Sequence, residues 1–189
     1  TVVDKNIVSH FLDAQKSLNL KQCILGPKIY YMDNKKLIWY SGGEINLPSG
    51  IIRHMGIRQE DNTVDSFPQV TDYITGCCIF THNTNIKNLN GFDEIFNMYC
   101  EDVDLSLRAA KLGIQCIYVP KAILWHKVSH SLNNEFSMKK MLLKFSSLWK
   151  LYKKHLQSGA RYLGFLLLFF RGLISGVKLL FFKVTNGFN

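Results

Sequence analysis

Acidic side chains are missing from the end of this 189-residue chain: all 14 Asp and Glu lie within residues 1–135, and residues 136–189 carry 10 Lys or Arg without one acid. The formal charge of +9 therefore belongs to the tail, because residues 1–135 set 13 basic residues against those 14 acids. Its cations alternate with Leu, Phe, Trp and Tyr, a pattern suited to a membrane surface of anionic headgroups rather than a groove that follows phosphodiesters. Nucleic acid is thereby excluded as a partner. Cysteine is scarce too: the five, at 23, 77, 78, 100 and 116, are odd in number and form no C-x-x-C pair. That argues against a disulfide framework or a structural zinc site and fits reduced, cytosolic thiols. There is no charged and then apolar leader at the start, no glycine-rich phosphate loop and no Walker lysine. Thr1 is not a start methionine, and the chain is expected to begin inside a longer protein.

What is present is enough apolar content, 47%, for one sizeable core. Asp4 is placed to cap a helix over residues 5–18, with Ile7, Val8, Phe11, Leu12 and Leu18 as its apolar stripe. Cys23 to Tyr31 and Leu37 to Tyr40 read as an antiparallel pair around the polar turn Met32 to Lys36. Residues 41–68 show no sustained period and read as a long loop, and Thr71 to Thr81 reads as a strand with Gly76 in its middle. The period turns helical from Asp102 to Leu112, with Gly113 placed just past the end. Ile114 to Val119 is a buried strand that Pro120 breaks, and Ala122 to His126 is a second short run. A basic amphipathic helix is predicted over residues 136–156, and residues 162–182 are far more apolar.

Chemistry concentrates at Tyr99-Cys100-Glu101-Asp102-Val103-Asp104, three carboxylates at a predicted helix start, where backbone N–H groups favour anions. Plain structural uses are open to them: Asp102 as a helix cap, and Asp104 as the i,i+4 ion-pair partner of Arg108. The order of signals adds context. Gly91-Phe92-Asp93-Glu94 is followed by Glu101-Asp102-x-Asp104, then Leu107-Arg108 with Gly113, then Val119-Pro120-x-Ala122 and Trp125-His126.

In that order, residues 1–130, and most specifically 91–126, resemble the second half of a family-2 glycosyltransferase of the GT-A fold, especially the bacterial rhamnosyltransferase-like branch. The resemblance implies an α/β fold: the carboxyl-terminal, acceptor-side half of a GT-A domain, a mixed sheet with flanking helices, followed over residues 131–189 by a basic and apolar helical tail. It implies inverting transfer of a sugar such as rhamnose from a nucleotide-sugar donor to a glycan or lipid-linked acceptor, with a divalent metal, Mg or Mn, in the complete enzyme. Carried over residue by residue, Asp102 is the catalytic base and His126 a metal ligand, with His130 as the nearby competitor for that role.

Glu101, Asp104, Thr75, Gly76 and Trp39 are the acceptor-binding candidates. A β-bulge at Thr75-Gly76 and core packing of Trp39 stay open beside those roles. Thr1-Val2-Val3-Asp4 looks like the residues that follow the family's acidic metal motif, which places the donor-binding half ahead of this chain and leaves these residues inactive alone. Arg171 and Lys178 oppose a simple span, so the tail is expected to seat the protein on the cytoplasmic, inner face of the membrane. Two rival readings are a non-catalytic, membrane-associated glycan-binding module and a metal hydrolase built on Glu101, Asp102, Asp104 and His126.

Overall fold

The computed structural model describes residues 1–62, 67–127 and 138–170, with side chains of the last segment described from residue 141. Its centre is a parallel pair, β2 (Cys23–Tyr31) and β8 (Gln115–His126), both largely buried. Each outer edge of the pair carries two short antiparallel strands end to end. Along β8 lie β6 (Gln69–Thr71) and β1 (Val2–Val3); along β2 lie β7 (Phe80–Thr81) and β3 (Ile38–Tyr40). The molecule is thus mixed α/β with a six-stranded mixed sheet.

β8 is one strand where the sequence predicts two. Its pairing with β2 jumps from Pro27–Val119 to Lys28–Ile123, so the residues around Pro120 bulge out and pairing resumes beyond them. A proline without an N–H is tolerated at such an irregularity. The predicted Thr71 to Thr81 strand is interrupted instead. Between β6 and β7 the backbone bonds elsewhere: Asp72 N–H to the Gly43 carbonyl at 3.0 Å and Ile74 N–H to Ser106 Oγ at 3.3 Å. Residues 41–68 are not all loop either. They hold the hairpin β4 (Gly43–Asn46) and β5 (Ile51–His54), joined by a 3₁₀ turn, Leu47–Ser49, that ends on left-handed Gly50.

Helix α1 (Ile7–Ser17) buries Ile7, Phe11 and Ala14, whereas Val8, Leu12 and Leu18 of the expected stripe are exposed. Asn6 is the residue before its first turn, and Asp4 acts one step earlier by accepting the Asn6 N–H at 2.8 Å. Helix α2 (Asn83–Asn88) precedes α3 (Glu101–Lys111), which ends as its sequence predicts, with Gly113 at φ +72°. Helix α4 (Met138–His155) is not a free surface helix: Leu148, Leu151 and Tyr152 are buried in the core that holds Phe11, Tyr73 and Val103. Residues 158–170 are helical and lie against the 3₁₀ turn.

Candidate active site

The approach to α3 is strained. Tyr99 (φ 69°) and Cys100 (φ 67°) are consecutive non-glycine residues in the left-handed region, a conformation that costs about 1–3 kcal/mol each and persists only when its surroundings enforce it. Here they do. Cys100 is buried, its carbonyl accepts the Asp104 N–H at 2.9 Å, and Ser147 of α4 donates to the Met98 carbonyl at 2.6 Å. The turn delivers Glu101 and Asp102 onto the first turn of α3, beside the segment that follows β6.

Asp102 is held from two sides. Its Oδ2 accepts the Gly76 N–H and its Oδ1 the Val103 N–H, both at 2.8 Å. Each carboxylate oxygen has a second lone-pair direction, so this fixes the group without exhausting it. A Cβ on Gly76 would point at this pair, in ordinary contact 3.6 Å from Asp102 Cβ and 3.8 Å from a Glu101 carboxylate oxygen. Glu101 Oε2 is buried with no hydrogen-bond partner, and burial pushes the Glu101 carboxyl above its ordinary range. An unpaired buried carboxylate oxygen of this kind is a ready acceptor for a ligand hydroxyl.

A separate cluster is aromatic. Trp39 of β3 touches His54 of β5 at 4.6 Å between ring centroids and His126, the last residue of β8, at 5.0 Å. His54 also packs on Tyr40 at 5.2 Å and Tyr73 at 5.8 Å, and its Nδ1 is buried without a partner. Burial lowers the His54 imidazole from its usual range, opposed by the negative charge of Asp102. The Tyr73 phenol is pushed up by burial, and Asp102 adds to that shift. Asp102 thus sits within electrostatic reach of a tyrosine and histidine cluster.

The sequence-chosen residues divide on this geometry. Asp102, Glu101 and Gly76 come together. Trp39 packs half-buried between two histidines, His54 and His126, and makes no described contact with those three. Thr75 is buried, and its hydroxyl accepts the Cys77 N–H at 3.5 Å.

Asp104 is a correction. Its side chain is 0% exposed and is gripped by Arg108 at 2.7 Å, His155 at 2.7 Å and Lys154 at 2.8 Å, so it binds α4 rather than an acceptor. Its i,i+4 pairing with Arg108 is as the sequence predicts. His54 is absent from the sequence reading altogether. It falls in the stretch read as loop, and the signal there, Ile51-Ile52-Arg53-His54 after a glycine, is too short to declare a strand.

His126 is half-buried, bonds through Nδ1 to Thr1 Oγ1 at 3.0 Å, and is held below its usual range by burial. Among the described residues no three His, Cys, Asp or Glu side chains converge on one point. The hydrolase set Glu101, Asp102, Asp104 and His126 therefore does not assemble, since Asp104 points into the α3–α4 contact. For Mg or Mn, which favour oxygen-rich shells, His126 offers one nitrogen, and among the described residues it belongs to no group of three His, Cys, Asp or Glu side chains that could hold the ion. The donor set does not fit such an ion by itself. His130 lies outside the described residues.

No family model matches the chain. Among curated proteins, rhamnosyltransferase WbbL of Escherichia coli (strain K12) is 33% identical over 94 residues, covering 50% of this chain and 31% of that protein. N-acetylglucosaminyl-diphospho-decaprenol L-rhamnosyltransferase of Mycobacterium tuberculosis is 39% identical over 59 residues, covering 31% of this chain and 19% of its own length. The chain thus matches about a third or less of the length of these relatives, and over that part it is related to glycosyltransferases.

Proposed function

We propose that this chain carries the acceptor side of an inverting glycosyltransferase of family 2 and GT-A type, working in cell-surface glycan synthesis. Asp102 carries the reading: a carboxylate oriented by two backbone N–H groups, at the end of a strained turn, beside an unpaired Glu101 oxygen. The partial likeness to rhamnosyltransferases supports it and suggests the substrates. Those are a nucleotide-activated deoxyhexose such as rhamnose, and a sugar linked through diphosphate to a lipid at the inner face of the membrane.

In the proposed step Asp102 takes the proton from an acceptor hydroxyl as its oxygen attacks the anomeric carbon of the donor. The new C–O bond forms on the face opposite the leaving group. The bond to the nucleoside diphosphate breaks, and its electron pair departs with the phosphate, so the configuration inverts. Trp39 offers an apolar face to the acceptor ring, and Glu101 accepts from a neighbouring hydroxyl or, when protonated, donates to one. A divalent cation would offset charge on the leaving diphosphate. His126 would contribute one ligand, and the remaining ligands and the donor pocket are assigned to residues other than those described here.

The test uses the full product of the reading frame that encodes this chain, a nucleotide-activated rhamnose and a polyprenyl-diphospho-N-acetylglucosamine. Asp102→Asn is expected to lower kcat by about 10²–10⁴-fold with a small change in KM, the range for loss of a general base. Gly76→Ala keeps the Asp102 hydrogen bond but crowds the approach to it, and is expected to raise the acceptor KM more than it lowers kcat. Unchanged turnover in Asp102→Asn sinks the assignment. Metal-independent glycan binding without transfer would instead favour a binding module.

A further inference from the structure

The described tail is a helix pair with one face sealed and one face bare. Phe145 meets Phe169 at 6.2 Å, and Trp149 meets Phe165 at 5.0 Å and Tyr162 at 5.7 Å, so α4 and residues 158–170 run antiparallel. The inner side is tight. A Cβ on Gly164 would strike the Leu47 carbonyl and lie 2.8 Å from the Tyr152 ring, and one on Gly50 would lie 2.7 Å from the Leu168 nitrogen.

The outer side carries Leu163, Leu166, Leu167 and Phe170 at i, i+3, i+4 and i+7, all exposed, and Met141 and Leu142 on α4 are exposed as well. Leu142 is 62% and Leu163 57% exposed. No charged residue occurs from 162 to 170. A soluble helix places its charges on this side, and a contiguous bare apolar face marks an interaction surface.

The surroundings select the occupant. Residues 136–189 hold no acid; Lys150, Lys154 and Arg161 bond within the molecule, whereas Lys153 is exposed and Lys144 stands exposed one turn before Ser147, the residue that ties α4 to the strained turn. A second copy would bring like charges together, whereas an anionic lipid surface complements them. Among the described residues no helix is long and apolar enough to cross a membrane, so the fitting geometry is one that lies in the interface.

We propose that α4 and residues 158–170 form an interfacial seat on a bilayer with anionic headgroups, with Leu142, Leu163, Leu166 and Phe170 entering the acyl boundary. Lys144 lies at headgroup level on the helix that braces the turn before Asp102, and is assigned the phosphate of a lipid-linked acceptor. The membrane location belongs to the transferase reading, and this inference rests on that reading for the acceptor. Vesicle binding needs no turnover, so either can fail alone.

The experiment is flotation of the whole chain with vesicles of phosphatidylcholine alone or mixed with phosphatidylglycerol. Wild type is expected to float with the anionic vesicles and to be released by salt. Leu142→Glu with Leu166→Glu should weaken binding by about tenfold or more, from the apolar burial lost. Lys144→Gln should weaken it by about fivefold on anionic vesicles and little on neutral ones. Circular dichroism reports folding, and Leu142→Ser with Leu166→Ser tests the same face should the Glu pair misfold. The proposal is overturned by a wild type that does not float or by variants that float equally well. It is also overturned by sedimentation showing a dimer that the Glu pair disperses without vesicle binding.

Discussion

Two carboxylates on α3, two residues apart, show how surroundings decide a residue's use. Asp102 faces the opening under backbone N–H groups, while Asp104, two residues on, is buried against Arg108, Lys154 and His155. Burial pushes Asp104 up, but the hydrogen bonds from His155, Lys154 and Arg108 outweigh it and hold the carboxyl well below the usual carboxylate range. A depressed folded value means stability that is present above the unfolded value and lost as pH falls toward the folded one. Asp104→Asn should therefore destabilise the chain at neutral pH by about 3–5 kcal/mol, since it leaves buried cations without their anion. Denaturant melts against pH check the sign: below about pH 4, near the unfolded carboxylate value, wild type should lose stability faster than the variant, and the gap should narrow.

At the scale of elements, the β4–β5 hairpin and α4 do what the sheet alone cannot. The hairpin is bound to the end of β6 by Thr71 Oγ1, which takes the Gly43 N–H at 2.7 Å and donates to the Gly43 carbonyl at 2.8 Å, and to the segment after it by Asp72, which accepts the Ile45 N–H at 2.8 Å. That attachment brings His54 to Trp39. On the other side, Ser147 and Lys150 of α4 bond the Met98 and Ile95 carbonyls at 2.6 and 2.8 Å and brace the turn that leads to Asp102. Residues 158–170 in turn depend on Gly164, which leaves no room for a side chain against Leu47 and Tyr152. Gly164→Ala should cost about 1–3 kcal/mol despite the better helix propensity of alanine. Hydrogen exchange should show the loosening first in residues 158–170 and the 3₁₀ turn; unaltered protection there would contradict the close contact.

For the whole molecule, the shared core predicts how it unfolds. Leu148, Leu151 and Tyr152 of α4 lie in one cluster with Ile29 and Leu124 of the central strands. Residues 1–127 and α4 should then melt in one transition, with far-ultraviolet dichroism and tryptophan fluorescence coinciding. A chain ended at residue 127 should lose that cooperativity, because it uncovers the side chains α4 buries. Two separated transitions would show α4 to be an independent appendage. The same packing turns one face of the tail inward and leaves its apolar outer face for the proposed bilayer contact.

Much of this was legible in the sequence where short-range rules suffice. The α3 period and Gly113 marked a helix and its end, the β2–β3 pair followed from two apolar runs around a polar turn, and the i,i+4 spacing paired Asp104 with Arg108. The cluster of acids at the start of α3 was likewise visible by composition. Tertiary contacts decided the rest. Whether Asp104 faced a ligand or α4 depended on a histidine 51 positions away. His54 entered the site only through packing against residues from β3 and the segment after β6. The basic tail read as surface because periodicity gives a helix its apolar face without saying what covers it, and that cover here is the core of residues 1–127.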